Sequence, residues 1–203
     1  MKKFISPLLL LIILFIAHQE IFAQAWTKDT KVISAALGGS SYVYFYPKDY
    51  YGGYYDNYKG RAAFFGRGAV TGGVYVQGEF GIHEYVGIGF TTGLGGKAGK
   101  GNYYYTVPEV NFPVGFIANF HFYQLIADKT GKDIYADKLD IYAGLNVGSG
   151  FAVQYWDSRS HLVPIGFFGL HGGVRYYFVP KVGVNAELGF GKSFALAGFV
   201  FKL

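Results

Sequence analysis

Residues 109–122 read EVNFPVGFIANFHF, and their alternation is unbroken. Val110, Phe112, Val114, Phe116, Ala118, Phe120 and Phe122 fall on one side of an extended chain. Glu109, Asn111, Pro113, Gly115, Ile117, Asn119 and His121 fall on the other. Successive side chains of a β-strand point to opposite faces, so a period of two predicts a strand. One face is aliphatic and aromatic without a charge. The other is small and polar.

The same period recurs on both sides. Val74, Val76 and Phe80 alternate with Tyr75, Gln77 and Glu79. Val86 to Leu94 alternates with Gly87, Gly89 and Gly93, and residues 83–85 make the turn between these two strands. Leu139 to Val147 alternates with Asp140, Tyr142, Gly144 and Asn146. Residues 168–178, 182–190 and 195–203 continue the pattern, and a weaker strand spans Lys31 to Gly39. The expectation is eight antiparallel strands.

Periodicity does not say which face points outward. A soluble barrel also alternates, with its apolar face inside. Composition decides. Charged residues are only 15% of the 203, against about 25% in ordinary soluble domains. Aromatics reach 20%, with 19 Tyr, 20 Phe and 31 Gly. Eight strands enclose too little space for so many phenylalanines. Turned outward, they form a lipid-facing band, and the glycines and asparagines line a narrow lumen. Closure also satisfies every backbone amide, which hydrocarbon requires. The fold class is therefore all-β, an eight-stranded antiparallel transmembrane β-barrel. The absence of cysteine excludes a disulfide scaffold.

Residues 1–23 read as a cleavable signal peptide: Lys2 and Lys3, an apolar run from Phe4 to Ala17, and small Ala23 at the end. Residues 24–203 would be the barrel domain. Turns at 83–85 and 179–181 are short, and loops at about 40–71, 95–106 and 154–163 are longer. Short turns belong at the periplasmic end and long loops outside. Residues 123–138 form one longer periplasmic turn. Trp26 and Trp156 would sit at opposite membrane interfaces.

Four segments carry a family resemblance: GVRYYF (173–178), VPK (179–181), VNAELGFG (184–191) and GFVFKL (198–203). The chain resembles the small bacterial outer-membrane β-barrels of the OmpA/OmpX-like, "porin family" group. The resemblance implies insertion in the outer membrane by the outer-membrane assembly machinery, which reads the last strand. Leu203 stands where many relatives end in Phe.

The charges within strands, Glu79, Glu109, Asp140, Arg175, Glu187 and Lys202, all fall on the inward face. They would form either a plug of ion pairs or a gate for ions, and a narrow lumen favours the plug. The outer loops carry Lys48, Lys59, Arg61, Arg67, Lys97, Lys100, Arg159 and Lys192 against Asp49, Asp56 and Asp157. Such a basic rim suits outer-membrane lipids, including the phosphates of lipopolysaccharide. Tyr42, Tyr44, Tyr46, Tyr50, Tyr51, Tyr54, Tyr55 and Tyr58 crowd the first outer loop, and Tyr103, Tyr104 and Tyr105 the second. Tyrosine gives rigid contact area with a polar handle, so these residues form a candidate contact surface for lipid or an extracellular partner.

The expected function is a non-enzymatic membrane scaffold with contacting outer loops; the alternative is a small porin-like channel. Residues 186–193 fit a relaxed P-loop pattern, but strand lies on both sides and no helix receives a phosphate. Asp157, Ser158, Ser160 and His161 raise a third reading, a lipid-modifying enzyme. His83, His121, His161 and His171 share no ligand spacing, so no metal or cofactor is expected. The basic charge of +5 comes with no nucleic-acid motif.

Overall fold

A computed structural model describes residues 24–39, 42–44, 70–98, 108–131, 135–156 and 158–203. The proposed signal peptide lies outside the described residues. The strands are β1 (Lys31–Gly39), β2 (Val43–Tyr44), β3 (Val70–His83), β4 (Val86–Ala98), β5 (Glu109–Phe120), β6 (Leu139–Trp156), β7 (Arg159–Val179), β8 (Val182–Gly189) and β9 (Ala195–Lys202). Among the described residues one helix, α1 (Phe122–Thr130), lies between β5 and β6.

Every neighbouring pair is antiparallel, and the sheet closes on itself. Pairing runs from β1 through β3, β4, β5, β6, β7 and β8 to β9. β9 then pairs with β1, from Val32 opposite Lys202 to Gly39 opposite Ala195. Eight long strands thus make the ring expected from the alternation. β2 is extra. It pairs Val43 and Tyr44 with Gly166 and Ile165 of β7, above the level where β8 ends. The short β8–β9 hairpin would otherwise leave this part of β7 without a partner on that side.

The outward faces are those read from the sequence. On β5 burial alternates residue by residue, from buried Glu109 to exposed Phe120. Phe116 is 72% exposed, and Phe80, Phe90, Phe168, Leu188 and Phe199 are exposed around the ring. Water would make such an exterior unstable, whereas hydrocarbon solvates it.

Three local readings change. The loop expected at 154–163 is instead the tip of a long hairpin. β6 and β7 stay paired as far as Trp156 opposite Arg159. Continuous pairing across the tip outweighs the polar composition that suggested a loop. β4 likewise runs on to Ala98 through Gly95 and Gly96, because cross-strand bonds to β3 fix backbone that glycine alone leaves free. Finally, the turn at 123–138 contains α1, closed by Gly131 in the left-handed conformation at φ 61°.

Candidate functional site in the barrel lumen

Two polar layers fill the lumen. The lower layer lies toward the end with the short turns. His121, just past the end of β5, places Nδ1 2.8 Å from Asp140 Oδ1 and Nε2 3.0 Å from Glu79 Oε1. Arg175 binds the same two carboxylates, through Nη1 to Asp140 Oδ2 at 3.3 Å and through Nη2 to Glu79 Oε2. Two cations and two anions close a ring. Both imidazole nitrogens face carboxylate oxygens, so both must donate and the ring is imidazolium. Burial disfavours that cation, but the hydrogen bonds to Asp140 and Glu79 outweigh it and hold His121 above the ordinary imidazole value. The indole of Trp26 stacks on His121 at 3.6 Å and 7°. Arg175 lies 4.3 Å over the Tyr142 ring.

Trp26 gets there because residues 24–30 fold across the mouth of the barrel. Ala25 N donates to Ala136 O at 2.7 Å, and Asp29 N to Gly81 O at 2.8 Å. Trp26 is fully buried, not at a membrane interface as its position near the end of the barrel suggested. Gly87 is what admits it: a Cβ there would sit 2.7 Å from the indole. The side chain of Trp156 lies outside the described residues.

The upper layer centres on Glu187. It accepts from Tyr142 Oη at 2.7 Å and from Gln77 Nε2 at 3.3 Å, and pairs with Lys192 Nζ at 2.5 Å. Lys192 also donates to Gln77 Oε1 at 2.7 Å. Sequence placed Lys192 on the basic outer rim, but the side chain is 2% exposed and points down the lumen. The cause is local. Gly191 takes φ 96°, and its neighbour's amide donates to Asn146 Oδ1 at 2.9 Å, so the β8–β9 turn dips inward. His171 is neutral by its partners: Nε2 donates to Asn119 Oδ1 at 2.9 Å, and Nδ1 accepts from Asn146 Nδ2 at 3.2 Å. Farther up, Glu109 accepts from Asn111 and Gln154.

Of the six strand charges, Glu79, Asp140 and Arg175 meet in the lower layer. Glu187 anchors the upper one, and Glu109 stands apart from both. Lys202 lies at the lower rim, its Nζ donating to Gln24 O at 2.8 Å and lying 4.3 Å over Tyr177. Sequence did not single out His121, Trp26, Gln77, Tyr142 or Lys192 as members of the network. The inward phase of His121, Gln77 and Tyr142 was readable; the inward folds of residues 24–30 and 190–194 were not.

Most of the tyrosine surface, from Tyr46 to Tyr58 and Tyr103 to Tyr105, lies outside the described residues. Tyr44 is described only as backbone in β2. Tyr42 is corrected: it is buried inside the barrel, its hydroxyl 3.3 Å from that of Tyr75 and its ring 5.7 Å from Phe167. With Ile165, Ala36, Ala152 and Leu196 they form an apolar layer above the ionic ones. Pairing of β2 with β7 draws Tyr42 inward. Ser160 and His161 are consecutive on β7, so their side chains leave opposite faces and do not converge.

The chain has the fold of small bacterial outer-membrane β-barrels. Ail, the attachment invasion locus protein of Yersinia pestis, aligns over 87% of this chain and 100% of its own, with 12% identity and a TM-score of 0.50. The N-terminal β-barrel domain of Pseudomonas aeruginosa OprF aligns over 88% and 99%, with 12% identity and a TM-score of 0.49. The outer-membrane protein OprG of the same organism aligns over 90% and 99%, with 11% identity and a TM-score of 0.47. No family model matches the sequence, and no curated protein matches it.

Proposed function

We propose that the chain is an integral outer-membrane protein of the OmpA/OmpX-like kind that does not conduct. In this reading it is a scaffold that holds contact loops at the cell surface. One observation carries the closed lumen. Gln77, Glu79, Asn111, Asn119, His121, Asp140, Tyr142, Asn146, His171, Arg175, Glu187 and Lys192 are each at most 5% exposed to water. A channel wide enough for hydrated ions would leave its lining wet. Stacked ionic, polar and apolar layers instead span the interior. The outer loops would contact lipopolysaccharide or an extracellular partner through their tyrosines and remaining basic residues. The assembly machinery would be the partner during insertion.

Planar-bilayer recording of the refolded chain tests this. Silence is expected from protein whose heat-modifiable gel migration shows it folded. Reproducible conductance steps whose selectivity changes in Glu187→Gln would replace the scaffold by a pore.

A further inference from the structure

The upper layer brings an amine, a carboxylate and a carboxamide into mutual contact. Lys192 Nζ lies 2.5 Å from Glu187 Oε2 and 2.7 Å from Gln77 Oε1. Gln77 Nε2 lies 3.3 Å from Glu187 Oε1 and 3.4 Å from its Oε2. One carboxylate therefore touches both the amine and the amide nitrogen. A carbonyl bond is about 1.23 Å long, so Nζ, at 2.7 Å from Oε1, lies within about 4 Å of Gln77 Cδ. Reacting atoms meet at about 3–3.5 Å, a difference that small torsional changes in a lysine side chain cover. The three side chains are only 2–3% exposed, so little water competes for them. Two further contacts fix the cluster. Tyr142 Oη donates to Glu187 Oε1 at 2.7 Å, and the Lys192 backbone amide donates to Asn146 Oδ1 at 2.9 Å. Gln77 lies on β3 and Glu187 on β8, with β1 and β9 between them in the ring, so the cluster crosses the lumen.

We propose that Lys192 and Gln77 join through an isopeptide bond, with Glu187 carrying the protons. The ion pair is the state before reaction. Glu187 takes a proton from the Lys192 ammonium, which leaves an amine with a free electron pair. That pair attacks Gln77 Cδ, and the Nζ–Cδ bond forms. The neutral Glu187 acid then gives its proton to Nε2 and receives one from Nζ. The Cδ–Nε2 bond breaks, and ammonia leaves with its electron pair. No oxidant or second reactant is needed, and Glu187 ends as a neutral carboxylic acid. Burial favours this outcome: a dry site disfavours both charges of the pair, and neither survives the reaction. The lower layer lacks this chemistry, because Arg175 cannot give up its proton to become a nucleophile. Lys202 lacks it too, since its Nζ meets the backbone carbonyl of Gln24 and the Tyr177 ring. The bond ties β3 to the β8–β9 turn across the barrel. It stands on the cluster's geometry and is independent of the scaffold reading.

Mass spectrometry of the barrel, extracted from membranes, unfolded and cut with trypsin, tests this. The expected product joins residues 68–97, which contain Gln77, to residues 182–202, which contain an uncut Lys192. Its mass is that of the two fragments less one ammonia. The same product should accumulate with time in wild-type chain refolded from urea into detergent. Glu187→Gln, shown folded by heat-modifiable migration, should form it about a hundredfold more slowly or worse, as loss of a positioned proton carrier does. If that variant does not fold, Glu187→Asp serves, because it draws the carboxylate back from the amine. Gln77→Met should give the two fragments apart. Folded wild-type protein whose fragments are separate, with cleavage after Lys192, overturns the proposal and leaves a lasting ion pair. Joining at an unchanged rate in the folded Glu187 variant also overturns it.

Discussion

His121 is held between two carboxylates, and that position makes its proton part of the fold. The folded state binds the proton more tightly than the unfolded chain does, because the His121 value is raised from its ordinary 6.5. The stabilisation is therefore complete below the ordinary value and is lost as pH rises through the raised one. The urea midpoint of the folded barrel should fall as pH is taken upward through this window. In His121→Gln, which has no proton to lose, the fall should be smaller; an equal fall would remove His121 as its source. Arg175 gives a larger effect. Arg175→Met leaves Glu79 and Asp140 buried with one cation between them, and breaking a buried pair this way costs about 3–5 kcal/mol. Equilibrium unfolding in urea should show a loss of that size. A loss below about 1 kcal/mol, as for an exposed pair, would mean that water reaches the ring.

At the scale of elements, what was legible follows from period two. On β5, β6, β8 and β9 each outward residue meets lipid and each inward one meets the lumen, so sequence phase and structural face coincide. Segments without that constraint escaped. α1 left only weak traces, Lys129 in its last turn and Gly131 beyond it, with no side-chain cap at its start. Tyr42 and Lys192 lie beside strands, where composition suggests a loop and tertiary pairing decides the direction. The β8–β9 turn therefore yields the sharper expectation. Lys192→Met should destabilise the barrel strongly, since Glu187 keeps its charge without its cation. Combining it with Glu187→Gln should recover much of that loss, because a neutral pair escapes the desolvation that a lone buried carboxylate suffers. A thermodynamic cycle on the refolded variants measures the coupling, and additive losses would show that the two side chains do not act as a pair. On the outer face, Phe116→Arg puts a charge where Phe116 is among the most exposed apolar residues. A cost of about 2–4 kcal/mol is expected in lipid vesicles if this position lies at mid-depth, and little or none if it lies near an interface.

For the whole molecule the decisive contrast is between a dry interior and a wet one with the same charges. Mobile ions screen an ion pair only where water and counterions reach it. At 0.1 M salt screening acts over about 10 Å, but buried pairs feel it much less. A water-filled lumen lined by Glu79, Asp140, Arg175 and Glu187 would therefore lose electrostatic stabilisation as salt is added. Residues 24–30 lie across the lower end of the lumen with Trp26 on the ring, and Tyr42, Tyr75, Ile165 and Phe167 pack above. Between these covers the residues of each ionic layer bond to one another, Glu79 and Asp140 with His121 and Arg175, and Glu187 with Lys192, Gln77 and Tyr142. The expected result is a urea midpoint in vesicles of neutral lipid that barely moves between low and high sodium chloride. Trp26→Ala supplies the comparison, because it removes the lower cover while leaving the four ring residues in place. In that variant salt should lower the midpoint, and the His121 ring should exchange its protons faster with the medium. A wild-type barrel as salt-sensitive as Trp26→Ala would mean that the covers do not keep water out, and the non-conducting reading would fail with them.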